Sequence, residues 1–172
     1  MIRLAGVNAQ SDIVARMIET FERSRADVVV AFEEVPREEV FRYGIAQPRG
    51  PVDDVFELER LVEKPDVAEA PSNLAVAARY VFSPVIFDKL VETKPGKGGE
   101  IQLTDAIQMV LERGGKGLGL RLHPHERRFD IGNFESYFRA FVEFAMADPR
   151  YGAGLTRFVR GLVNAPPGGP AS

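Results

Sequence analysis

A chain of 172 residues and 19.0 kDa suits one domain and is long enough to bury a core. Its 45% hydrophobic and 27% charged residues are a globular balance, and 22 basic against 25 acidic side chains leave a net charge of −3, which gives no global field to draw nucleic acid or an anionic membrane. The absence of cysteine excludes disulfides, thiolate metal sites and cysteine nucleophiles, and two histidines exclude a histidine-rich metal centre.

No apolar run approaches the ~20 residues of a membrane helix. The first ten residues lack the basic-then-apolar pattern of a signal peptide, so a cytoplasmic location is expected. Ser11 can cap a helix whose Ile13, Val14, Met17, Ile18 and Phe21 form one apolar stripe. Asp27-Val28-Val29-Val30-Ala31-Phe32 follows, a β-branched run that reads as a strand buried on both faces. Residues 41–47 and 55–62 read as shorter strands, the second with Phe56, Leu58 and Val62 on one parity. Residues 74–82 form another strand candidate. Ser83-Pro84 then supplies a cap and a first-turn proline for a helix to about Glu92. Residues 101–111 read as a helix with Leu103, Ile107, Val110 and Leu111 inward, and 118–122 as a short strand. Asn133 caps a last helix carrying Phe134, Tyr137, Phe138, Phe141, Val142 and Phe144, whose rings are expected in the core rather than against another subunit. Residues 165–172, rich in proline and glycine, have the composition of a flexible tail. Strands mixed with helices argue for an α/β sheet covered by helices.

Three short segments carry possible chemistry. In Arg42-Tyr43-Gly44-Ile45 a glycine interrupts a strand-like run, which marks either a plain bulge or a ligand resting on the backbone. In Leu61-Val62-Glu63-Lys64-Pro65 a carboxylate able to accept from sugar hydroxyls stands beside an ammonium suited to phosphate. Adjacent strand residues point to opposite faces, so these two are not expected to pair with each other. Alone, the segment also reads as a solvated strand end. In Arg127-Arg128-Phe129-Asp130-Ile131-Gly132-Asn133 the aspartate stands between a strand and a helix, where ligands gather in open α/β sheets. It can serve as one of the few carboxylates a Mg²⁺ ion takes, or as a turn residue that helps start the helix.

Taken in order, these segments resemble the later part of bacterial UTP–glucose-1-phosphate uridylyltransferases. The resemblance adds Ala70-Pro71-Ser72-Asn73-Leu74-Ala75, Arg79-Tyr80-Val81, Thr93-Lys94-Pro95-Gly96 and Gly98-Gly99-Glu100-Ile101-Gln102-Leu103-Thr104-Asp105-Ala106-Ile107, the last being the most specific. It implies a Rossmann-like nucleotidyltransferase mixed sheet flanked by helices, without its N-terminal strands, with residues 1–164 as the sugar-binding part. It also implies Mg²⁺-dependent transfer of UMP from UTP to glucose 1-phosphate, giving UDP-glucose and pyrophosphate. Carried over by motif position, Tyr43, Gly44, Glu63 and Val76 would contact the sugar, Lys64 would bind its phosphate as the catalytic lysine, and Asp130 would share Mg²⁺ with a second aspartate. A full-length relative would be a homo-oligomer. The family's glycine-rich loop, G-x-G-T-R-x-x-P, has no match here, so this chain alone is expected not to turn over UTP. A sheet cut in this way would leave an open edge such as residues 28–32. A binding or dimerisation module without catalysis, and a related thymidylyl- or adenylyltransferase, are the alternatives.

Overall fold

The computed structural model describes residues 11–96, 99–126, 128–129 and 131–164. Asp130 lies outside the described residues, as does the 165–172 tail. Two compact units divide the chain, one of them Ser11–Pro124.

The described part of that unit holds three α-helices and a five-stranded mixed sheet. In chain order its elements are α1 (Ile13–Ser24), β1 (Val28–Glu34), a 3₁₀ turn (Arg37–Arg42), β2 (Gly44–Arg49), β3 (Val55–Glu63), β4 (Leu74–Phe82), α2 (Val85–Glu92), α3 (Leu103–Glu112) and β5 (Gly117–Arg121). β1 is central: it runs antiparallel to β4 on one side and parallel to β5 on the other, so residues 28–32 are no open edge. β2 pairs antiparallel with β3 and meets β4 at Ile45–Ala75, while β3 also runs antiparallel to β5.

The continuous apolar run of β1 separates into two layers because alternate strand residues face opposite ways. Val28, Val30 and Phe32 pack with Phe56, Leu58, Ile86, Ile107 and Val110, beneath α2 and α3. Val29 and Ala31 pack with Ile13 and Met17 of α1 and with Leu120. Asp27 pins the entry to this strand, accepting hydrogen bonds from the Ser83 hydroxyl (3.1 Å) and the Lys116 amide (2.9 Å). Ser83 therefore spends its side chain on Asp27, and α2 has no side-chain cap.

Two strand expectations change. Residues 41 and 42 belong to the 3₁₀ turn, and the strand starts at Gly44. The parity of β3 also switches: Phe56 and Leu58 are buried, but the next inward side chain is Leu61 rather than Val62. The β2–β3 register shifts between Gln47 and Pro48, where proline has no amide hydrogen to give the ladder. Farther along β3, the Leu61 amide donates to the Gln108 side-chain oxygen of α3 (3.3 Å).

The described part of the other unit holds α4 (Phe134–Ala147) and α5 (Gly152–Asn164), packed on each other. Asn133 caps α4 as expected, its side-chain oxygen accepting from the Ser136 amide (3.0 Å). The rings of α4 are not core: Phe134 is 80% exposed, and Phe138 and Phe141 59% each. α4 is also not the last helix. Among the described residues, no helix is long and apolar enough to cross a membrane.

Candidate functional site

The segments around Gly44 and Glu63 meet because β2 and β3 are paired neighbours with Gly44 opposite Glu63. A Cβ placed on Gly44 would stand 3.2 Å from Glu63 Oε2, 3.3 Å from Val76 Cγ2 and 3.4 Å from Thr104 Cγ2. Side chains from β3, β4 and α3 thus crowd around one bare backbone position. A larger residue at position 44 would fill the space they share.

β3 ends at Glu63, and the next residue turns sharply: Lys64 has φ 46°, in the left-handed region. A side chain there costs about 1–2 kcal/mol relative to ordinary backbone. The turn is held by the Lys64 amide, which donates to the Tyr43 carbonyl (3.0 Å). It also corrects the expectation for this pair. The left-handed step breaks strand alternation and brings Lys64 Nζ to 3.9 Å from Glu63 Oε1. Lys64 is 54% exposed and Glu63 29%, so the carboxylate is the more enclosed partner.

Val76 and Tyr80 come to this side through a second irregularity. Opposite Val30 and Phe32 the register jumps from Tyr80 to Val76, and Ala78 between them has φ 52°. Tyr80 is packed against the core, and burial first, the Glu63 charge second, raise its phenol above the ordinary 10.0. At neutral pH it is therefore an O–H donor beside a carboxylate.

Thr104, in the first turn of α3, completes the cradle. Its Oγ1 is the buried side-chain polar atom left without a partner among the described residues. An unsatisfied buried hydroxyl costs about 1–3 kcal/mol, and such groups call for an explanation. Sequence reasoning quoted Thr104 only inside a longer motif and did not single out Tyr80. For Tyr80 the one signal was its even spacing from Val76 along the same strand, and for Thr104 the spacing gave none.

Gly44, Glu63, Lys64 and Val76 are therefore brought together, with Tyr80 and Thr104 added, while Tyr43 meets Lys64 only through its carbonyl and packs its ring with Val35, Val40 and Ile45. Asp130 is outside the described residues. Among the described residues the cradle offers one carboxylate, Glu63, with an ammonium 3.9 Å away. That pair favours a neutral hydroxylated group beside an anion, and does not by itself make a divalent-cation site.

Comparison with known proteins identifies the family. The nucleotidyl transferase family model matches residues 2–146. The UTP–glucose-1-phosphate uridylyltransferase of Pseudomonas aeruginosa is 40% identical over 135 residues, 78% of this chain and 47% of that protein. The enzyme of the same name from Bacillus subtilis is 36% identical over 161 residues, 92% of this chain and 53% of that one. A solved UDP-glucose pyrophosphorylase complexed with UDP-glucose superposes with a TM-score of 0.69 at 37% identity, covering 77% of this chain and 49% of that one. The chain thus spans about half the length of the curated relatives it matches. By sequence and fold, it belongs to the nucleotidyl transferase family.

Proposed function

We propose that this chain carries the sugar-phosphate half of a UTP–glucose-1-phosphate uridylyltransferase, which transfers UMP from UTP to glucose 1-phosphate and releases pyrophosphate. The observation that carries the reading is the cradle around Gly44, where β2, β3, β4 and α3 each contribute a residue to one small space. The names of the Pseudomonas and Bacillus relatives support the substrate and the uridine base.

The residues divide the work by chemistry. The bare backbone of Gly44 lets a sugar ring approach closely, and Val76 gives it an apolar wall. Glu63 accepts from sugar hydroxyls, while the Tyr80 O–H and the unpartnered Thr104 hydroxyl donate or accept beside it. Lys64, more exposed and one step along the turn, meets the sugar phosphate. Phosphoryl-type transfer depends mainly on positioning and charge neutralisation, so Lys64 acts by holding the attacking phosphate in line and offsetting its charge. A divalent cation would add Lewis-acid charge to the phosphates, and by resemblance Asp130 would hold it as Mg²⁺. Cytoplasmic location and homo-oligomeric assembly of a full-length form belong to the same reading.

Calorimetric titration of the chain with UDP-glucose tests it. Binding heat is expected for the wild type and a loss of about tenfold or more in affinity for Lys64→Ala and for Glu63→Gln. Equal isotherms for all three proteins would overturn the reading.

A further inference from the structure

A threonine hydroxyl in a helix ordinarily turns back to the carbonyl four residues earlier. Thr93, at the end of α2, donates to the Lys89 carbonyl in this way (2.7 Å), and Thr156, inside α5, to the Gly152 carbonyl (2.8 Å). Thr104 is the second residue of α3, so the residue four earlier, Glu100, precedes the helix. The Glu100 carbonyl already accepts from the Gly96 amide (2.9 Å). Nor does Thr104 cap the helix, since α3 has no side-chain cap. Its Oγ1 is left buried without a partner among the described residues. Folding gives no reason for a hydroxyl here: valine has nearly the same shape and would leave nothing unpaired.

A second observation is which atom meets the cradle. A Cβ on Gly44 would stand 3.4 Å from Thr104 Cγ2, so the methyl faces the bare backbone and the hydroxyl sits behind it, out of water's reach. Methyl and hydroxyl leave one carbon at staggered positions, and a helical threonine populates two χ1 wells. Rotation about χ1 carries Oγ1 to the place of the methyl with no movement of α3. The cradle then gains, between the Glu63 carboxylate and the Val76 methyl, a group that both donates and accepts. A sugar hydroxyl offers the same two roles.

We propose that Thr104 is a specificity-determining residue: its side chain rotates when the sugar enters and its hydroxyl bonds one sugar hydroxyl, so the cradle selects a hydroxylated hexose over the deoxy sugar that lacks that group. The inference rests on the sugar-phosphate reading of the cradle. The selectivity comes from the orphaned oxygen. A hydroxylated sugar supplies the partner the fold withholds, whereas a deoxy sugar leaves Oγ1 unpaired, and sites built to bond a hydroxyl reject analogues without it.

Calorimetry tests it with UDP-glucose and its monodeoxy counterparts, one for each free hydroxyl of the sugar, on wild type, Thr104→Val and Thr104→Ser. More than one deoxy sugar should bind the wild type weakly, because Glu63 also bonds hydroxyls. At one position the loss, about tenfold or more, should vanish in Thr104→Val and persist in Thr104→Ser. In methyl-labelled wild type, the three-bond couplings of the Thr104 methyl should report one χ1 well without ligand and another with UDP-glucose. That measurement needs no variant to fold. UDP-glucose binding that Lys64→Ala weakens, with a deoxy profile unchanged in Thr104→Val, would overturn this inference and leave the sugar-phosphate reading standing. So would a Thr104 rotamer unmoved in the bound protein. Absence of UDP-glucose binding by the wild type would overturn both.

Discussion

Lys64 stands in backbone that favours glycine, and on the proposed reading that cost serves phosphate binding. The φ of 46° swings its ammonium back toward Glu63 and keeps both groups at one end of β3. Residues in sparsely populated backbone regions gather at functional sites, because the strain is kept only where geometry is needed. Lys64→Gly separates the two contributions. Relief of about 1–2 kcal/mol of left-handed strain is partly offset by about 0.5–1 kcal/mol of added chain entropy in the unfolded state. The variant should be more stable by roughly 0.5 kcal/mol in denaturant titration while losing UDP-glucose binding. A variant that binds as well as the wild type would remove the functional ground for the strain. Tyr80 gives a second residue-scale test. Its phenol is raised by burial and by the Glu63 charge. In the difference between wild type and Tyr80→Phe, the phenolate absorbance should therefore rise at a pH above 10.0. Glu63→Gln should bring that step down without removing the burial contribution. For stability the sign is set by the raised value: the contribution is complete below the unfolded phenol's pKa and is lost as pH climbs through the folded one.

At the scale of elements, the sheet admits its helices and aromatic rings through two glycines of β5. A Cβ on Gly119 would collide with the ring of Phe56, and one on Gly117 with Leu111 of α3. Phe56 in turn packs against Phe32, with centroids 5.4 Å apart, inside the core under α2 and α3. Gly119→Ala should therefore destabilise by about 1–3 kcal/mol through overpacking, seen as a lower urea midpoint with unchanged slope. An unchanged midpoint would mean that the ring moves aside freely. β1 was legible because five consecutive apolar residues admit no half-exposed strand. β3 was legible only as far as Leu58, since the register shift beside Pro48 could not be read from β3's own residues. α5 was missed although Leu155, Phe158, Val159 and Leu162 have helical spacing. Gly152, Gly154 and Gly161 weaken that helical signal.

For the whole molecule, sequence order and spatial order agree where the chain makes hairpins and part where it makes crossovers. Gly44 and Glu63 come together through the β2–β3 pairing, so their association follows from two neighbouring strand segments. Thr104 reaches the same place from α3, on the far side of a crossover, and no spacing in the chain announces it. The proximity of Glu63, Lys64 and Val76 was therefore legible, whereas the approach of Thr104 was a property of the tertiary fold. On the proposed reading, that approach should make ligand binding a matter of global stability, because only the folded chain brings the four elements together. A ligand at about a hundred times its dissociation constant stabilises by roughly 2.7 kcal/mol. For a chain of this size that raises the melting temperature by about 5–10 °C. UDP-glucose should produce such a shift in the wild type and little in Lys64→Ala. Thr104→Val should start from an equal or higher melting temperature, since it deletes a buried hydroxyl that has no partner, and then respond less to the ligand. A full ligand response in Thr104→Val would leave the unpartnered hydroxyl as a cost to folding alone and would move the sugar away from α3.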